Sequence, residues 1–448
     1  VTDRELAPTG DGELRASPLE LFFDLVFVFV ITQLTASLAH HLTPGGLARV
    51  LVMLAVIWWM YDAYIWVANA VPPRTAGQRA LMLLGMGCFL VIALSVPRAF
   101  EGGGEIFGWA YLLVIAVHTG MFATAGVRPG AVARMGALNL LGAGLVITGG
   151  YLRGGPELLL WTAAFGLQLA IPYLVDLPRF QLRADHFVER HGLVVIVAFG
   201  ESVIAIGVGI DGAELTPALI GAAMLALAVC VGLWWAYFGA DDDEHAVRAM
   251  ARLDDAQRNL TAIKVYNLGH YALLLGVILF ATGAKTATAH PTEPIHLPEA
   301  LALAGGVALF LGANTAARRI LAFGTGRLRL LAAALVLAAV PLGIRISPLA
   351  QLACTVVVLA LVFAVESRSA GLNANADTDT DTDAETGGGS TAGRPTAGRP
   401  SGAEDVIGVP ADVLRPDPEH GLRGLSHRGP VELGDQRAPV ALAADETG

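Results

Sequence analysis

Two carboxylates, Glu20 and Asp24, stand one helical turn apart in the apolar run ELFFDLVFVF, so both project from one face of a helix. A charged group at the centre of a membrane helix costs about 2.5–3.5 kcal/mol on insertion scales, and those that occur face the bundle interior, paired or solvated. Carboxylates held this way bind protons or cations, or pair with a buried base. Further acids follow. Trp58, Asp62 and Asn69 share a narrow arc of IWWMYDAYIWVANA. In HFVERHGLVVIVAFGESV, His186, Glu189, Arg190 and Glu201 occupy roughly a third of a helix circumference. Arg190 is placed to meet an acid on another helix.

Glu201 lies about four turns into its helix, beyond the reach of loops and headgroups, with Ser202 beside it. Three states fit such a residue: a carboxyl neutralised by its own proton, a proton or cation site, or half of a structural ion pair. In NLTAIKVYNLGHYALLLG, Lys264, Asn267 and Tyr271 share a face, with His270 at its flank. Lys264 either pairs with Asp24 or Glu189, or snorkels to the interface. The candidate pathway residues are therefore Glu20, Asp24, Asp62, Glu201, Ser202, Lys264, Asn267 and His270. His186, Glu189 and Arg190 form a polar network at the end where the first helix begins.

The elements that carry these residues must be membrane helices. Of the 448 residues, 54% are hydrophobic and only 15% charged, against about 25% charged in soluble proteins. Apolar stretches of about 20 residues, the length that crosses a hydrocarbon core, recur at 18–39, 46–70, 78–98, 105–127, 131–150, 156–175, 186–210, 216–240, 258–282, 298–318, 327–345 and 347–366. The expected fold is an all-α polytopic membrane protein of about twelve transmembrane helices in a lipid bilayer. The polar start, VTDRELAPTGDGELRASP, lacks the basic opening of a cleaved signal, so the first span is expected to stay as an anchor.

Arginines crowd alternate loops: Arg74 and Arg79, Arg128, Arg179 and Arg183, Arg248, Arg252 and Arg258, then Arg318, Arg319, Arg327 and Arg329. That side is expected to be cytoplasmic, with both termini on it. Paired openings suggest a duplication: ELFFDLVFVFVITQL with ERHGLVVIVAFGESV, and IWWMYDAYIW with LWWAYFGADD. The expected organisation is a cytoplasmic segment 1–17, a six-helix half 18–180, a second six-helix half 181–366 in parallel orientation, and a disordered low-complexity tail 367–448. The tail contains NADTDTDTDAETGGGS and a duplicated TAGRP.

Several chemistries are excluded. No basic surface for nucleic acid is present. Cys88, Cys230 and Cys354 lie singly in apolar runs, without metal-ligand spacing. GVGIDG, Gly207 to Gly212, closes a membrane helix and follows no strand, so it is not a nucleotide loop. No metal and no cofactor is expected.

Together, SPLELFFDLVFVFVITQLT and HFVERHGLVVIVAFGESV resemble the bacterial low temperature requirement protein A family over roughly Ser17 to Glu366. The matching residues are Glu20, Phe22, Phe23, Asp24, His186, Glu189, Arg190, Gly200, Glu201 and Ser202. The resemblance implies a multi-span bacterial inner-membrane protein linked to growth in the cold, and implies no particular chemistry. The expected function is a transporter or channel for a small solute, proton or cation with a buried carboxylate site. The alternatives are a lipid- or isoprenoid-modifying membrane enzyme, for which no nucleophile and base pair is evident, and a structural or regulatory membrane protein.

Overall fold

The computed structural model describes residues 16–124, 129–152, 155–174, 182–210, 212, 214–239 and 242–386. The described residues up to Thr382 form one compact unit. The described residues contain no strand. Their helices are α1 (Pro18–His40), α2 (Pro44–Ala70), α3 (Ala76–Ser95), α4 (Gly104–Thr124), α5 (Pro129–Tyr151), α6 (Gly155–Leu174), α7 (Ala184–Gly209), α8 (Pro217–Phe238), α9 (Asp242–Ala251), α10 (Asp255–Ala262), α11 (His270–Ala289), α12 (Leu297–Ile320), α13 (Arg327–Ala338), α14 (Val340–Arg345) and α15 (Pro348–Thr386). A seven-residue π-helix, Ile263–Gly269, joins α10 to α11.

Local chemistry sets many of the starts. Ser17 and Thr75 close capping boxes with Glu20 and Gln78, while Thr43 and Thr216 cap α2 and α8 ahead of a first-turn proline. The chain is a multi-pass membrane protein: among the described residues eleven helical stretches are long and apolar enough to cross a bilayer. The expected twelve spans are matched in position, but α6, the sixth, is not among the eleven. It carries Pro172 inside its last turn. The expected span 258–282 is one continuous rod of α10, the π segment and α11. The span 327–345 is broken between α13 and α14 just ahead of Pro341, which lacks the N–H an uninterrupted helix requires. α15 runs past Glu366 to Thr386, and the remainder of the expected disordered tail, 387–448, lies outside the described residues, as does 1–15.

Aliphatic side chains such as Leu25, Leu94, Leu113 and Leu159 point outward, as a lipid-facing surface requires. Inside, small residues let helices approach closely. One close seam joins α11 to α12. A Cβ on Gly306 would lie 2.4 Å from Phe280 N and 2.6 Å from Gly276 O, whereas one on Gly305 would meet nothing within 4 Å. Gly306→Ala is therefore expected to destabilise the detergent-purified protein by about 1–3 kcal/mol through overpacking, and Gly305→Ala to leave it unchanged. Parallel thermal unfolding of the two variants checks this.

Candidate functional site

Three contacts of ascending residue number join α1 to α7, so the two helices run parallel. Lowest is Glu20, whose Oε1 lies 3.2 Å from His186 Nε2 and 3.8 Å from Arg190 Nε. Its Oε2 accepts from Ser17 N and Oγ at 2.8 Å each, so one carboxylate both caps α1 and faces α7. One turn on, Arg190 binds Asp24 bidentately, Nη1 to Oδ2 at 2.6 Å and Nη2 to Oδ1 at 2.7 Å, each side chain 1% exposed. Tyr61 of α2 donates its hydroxyl to the same Asp24 Oδ1. Farthest along, Thr32 bonds Glu201. The N-terminus of α7 is fixed by Asn69 of α2, whose amide donates to Arg183 O at 2.9 Å and accepts from Arg183 N at 3.0 Å. The same amide nitrogen lies 3.3 Å from His186 Nδ1, which leaves His186 Nε2 as the N–H facing Glu20.

The residue after Arg190, His191, turns to α2. Its Nε2 lies 2.9 Å from Asp62 Oδ1, and both side chains are fully buried. Its Nδ1 lies 2.8 Å from Phe187 O. A carbonyl only accepts, so Nδ1 carries a hydrogen. Nε2 and Oδ1 then share one proton, either as imidazole and carboxylic acid or as imidazolium and carboxylate. Asn267 donates its amide to Asp62 Oδ2. The π segment sets that reach: Trp58 Nε1 donates to Asn267 O at 2.7 Å and Trp66 Nε1 to Asn267 Oδ1 at 3.3 Å, so α2 grips the widened turn from two positions. π turns recur at functional sites because they redirect side chains within an otherwise regular helix.

Asp62 and Asn267 stand on the wall of a cavity of about 110 Å³ bounded by α2, α4, α5, α6, α10 and the π segment. Trp59, Trp66 and Phe122 supply aromatic wall, and His118, Asn139 and Gln168 supply polar atoms. Gln168 donates to Tyr111 Oη at 2.9 Å. His118 Nε2 lies 3.2 Å from Ala63 O and is therefore the N–H. His118 Nδ1 and Asn139 Oδ1 are buried without a hydrogen-bond partner.

The remaining expected residues are dispersed. His270 is buried, with Nε2 2.8 Å from Tyr237 Oη and its ring 5.0 Å from that of His191. Glu201 and Ser202 are buried deeper along α7. Glu189 is half-buried on another face and accepts from Ala16 N at 3.2 Å. Lys264 is exposed. Of the two expected positions of Lys264, the pairing with Asp24 is not seen, because Asp24 is paired with Arg190, and Lys264 takes the exposed position. His191, Tyr61, His118, Asn139 and Gln168 were not among the expected site residues.

The sequence matches the bacterial low temperature requirement A protein (LtrA) family over residues 15–364. The chain belongs to this family. It is also 30% identical over 323 residues to an uncharacterized protein of Rhizobium meliloti (strain 1021), covering 69% of this chain and 78% of that protein. The two motifs through which the sequence resembles the LtrA family are those that face each other here: Glu20 and Asp24 from the first, His186, Arg190 and Glu201 from the second.

Among described residues this seam joins a buried guanidinium to a buried carboxylate in a membrane interior. Asp24→Asn leaves Arg190 charged without its counter-ion, and removing one partner of such a pair costs about 3–5 kcal/mol. Asp24→Asn and Arg190→Gln are each expected to lower thermal stability strongly. The double variant is expected to lose less than the sum. A double-mutant cycle on purified protein measures that coupling.

Proposed function

We propose that this LtrA-family protein is a proton-coupled carrier of a small solute. Its solute chamber is the cavity beside Asp62, and its proton site is the Asp62–His191 pair. The observation that carries the reading is the buried 2.9 Å contact between His191 Nε2 and Asp62 Oδ1, with Asp62 on the wall of a cavity. An imidazole exchanges protons near neutral pH, whereas a guanidinium does not. Asp24, gripped by Arg190, holds the helices, and Glu201 on the same seam is a second proton-holding group deeper in the bundle. Glu20, His186 and Glu189 line the end where α1 begins, and Asn267 of the π segment and His270 of α11 support the pair.

The two-half organisation enters as part of the same reading. α1 packs on α3, α3 on α4 and α4 on α5, as α7 packs on α11, α11 on α12 and α12 on α13. Together with the parallel run of α1 and α7, this recurrence supports a parallel repeat of 18–180 and 181–366. In that arrangement both termini are cytoplasmic, in the bacterial inner membrane, and the solute site lies where the halves meet.

Proteoliposomes carrying a pH dye and an imposed pH gradient test the proposal. Amines, carboxylates, sugars and amino acids are added in turn. At least one class is expected to move protons through the parent protein and to lose that effect in Asp62→Asn. Equal proton movement in parent and variant for every class would remove the proposal.

A further inference from the structure

We infer that the cavity takes a small protonated amine, and that this cation exchanges one for one with the proton held between Asp62 and His191. The inference rests on the carrier reading and names its substrate class. Three features of the wall carry it.

First, among the described residues neither Lys nor Arg lines the cavity, and the one acidic side chain on its wall is Asp62. An anionic solute would find no counter-charge there. Second, two lining residues, His118 and Asn139, each carry a buried acceptor without a donor. His118 Nδ1 must be a lone pair, because the ring's other nitrogen is the N–H facing Ala63 O. Asn139 Oδ1, on the neighbouring helix, is likewise without a partner. An unmet buried acceptor costs about 1–3 kcal/mol. An ammonium head brings three N–H donors, which matches these two acceptors and the Asp62 carboxylate. Third, Trp59 and Trp66 line the cavity, and an indole ring attracts a cation placed over its face.

Charge conservation in the apolar interior then fixes the coupling. With its shared proton the Asp62–His191 pair is neutral in either form. If an alkylammonium enters while that proton stays, the site carries an uncompensated positive charge. If the O–H or N–H bond between Asp62 and His191 breaks and the proton leaves, a carboxylate remains to face the ammonium, and the site is neutral again. One charge enters and one leaves, and no other bond changes. The titratable and charged groups around the pair leave this balance intact. From α7 these are Arg190, held by Asp24, and His186, facing Glu20. From α4 it is His118, and from the π segment and α11 they are Tyr266 and His270, whose rings lie 4.8 Å and 5.0 Å from that of His191. Tyr237 of α8 lies behind His270.

The test uses the purified full chain in detergent and calorimetric titration with ethylammonium, propionate, propionamide and tetramethylammonium. Runs in two buffers of different ionisation enthalpy count the protons released. Ethylammonium is expected to bind with release of about one proton, and to bind at least tenfold more weakly to Asn139→Leu and His118→Phe. Tetramethylammonium, which has no N–H, is expected to bind more weakly than ethylammonium. A thermal unfolding curve like the parent's identifies the variants that fold, and the parent's proton count stands without them. Failure of ethylammonium to bind the parent, or binding without proton release, overturns the inference. So does tighter binding of propionate or propionamide. If those or any other class still drive Asp62-dependent proton movement in proteoliposomes, the carrier proposal stands while the amine assignment falls.

Discussion

The bidentate contact between Asp24 and Arg190 fixes how α7 is rotated against α1, and the rest of the interior depends on that rotation. Moving either charge alone into an apolar bundle is costly, so the pair is maintained only with both partners in register. Tyr61 brings a third donor to Asp24 from α2. Once Arg190 is committed to α1, its neighbour His191 must leave the seam by about a quarter of a helix turn. It therefore faces α2 and Asp62. Glu201, eleven residues further and about three turns on, returns to the α1 side and meets Thr32. One ion pair thus orients two protonatable groups at different depths of the same helix.

The π segment completes the arrangement from the other side. A regular helix across Ile263–Gly269 would present a different set of side chains to α2. The widened turn offers Asn267 twice, as a carbonyl to Trp58 and as an amide to Asp62. Its position is held from behind by α11, which meets α12 at the backbone contact of Gly276 and Gly306.

Much of this organisation is legible in the sequence, for identifiable reasons. Membrane spans follow from length and apolarity, and every expected span coincides with a helical stretch. Arg190 is expected to meet an acid on another helix because a guanidinium in an apolar run has no other stable environment. Asp62, with Trp58 and Asn69 on one arc, is singled out by the same argument. His191 is not, because a neutral imidazole carries no charge penalty and leaves no mark in a hydropathy pattern. His118, Asn139 and Gln168 are single polar residues on three different helices, and only the packing of those helices brings them to one cavity. Lys264 is left with two readings because a lysine within an apolar run has two outcomes of similar cost, and its local sequence does not separate pairing from snorkelling. The π turn is equally hidden, since apolar periodicity does not encode a local change in helix width.

Asp24 and Asp62 show how partner chemistry divides the labour between like residues. Both are aspartates, both are buried, and they sit on adjacent helices. Asp24 is met by two guanidinium N–H groups and a phenol, a donor set that includes a fixed cation and ties α1 to α7 and α2. Asp62 is met by an imidazole and a neutral amide. Neither partner is a fixed cation, and in the proposed carrier a proton on this pair takes the place of one. On that reading, giving one carboxylate an arginine and the other a histidine provides both a fixed contact and a variable charge. The two bases occupy consecutive positions, Arg190 and His191, so a single helix rotation delivers each to its acid.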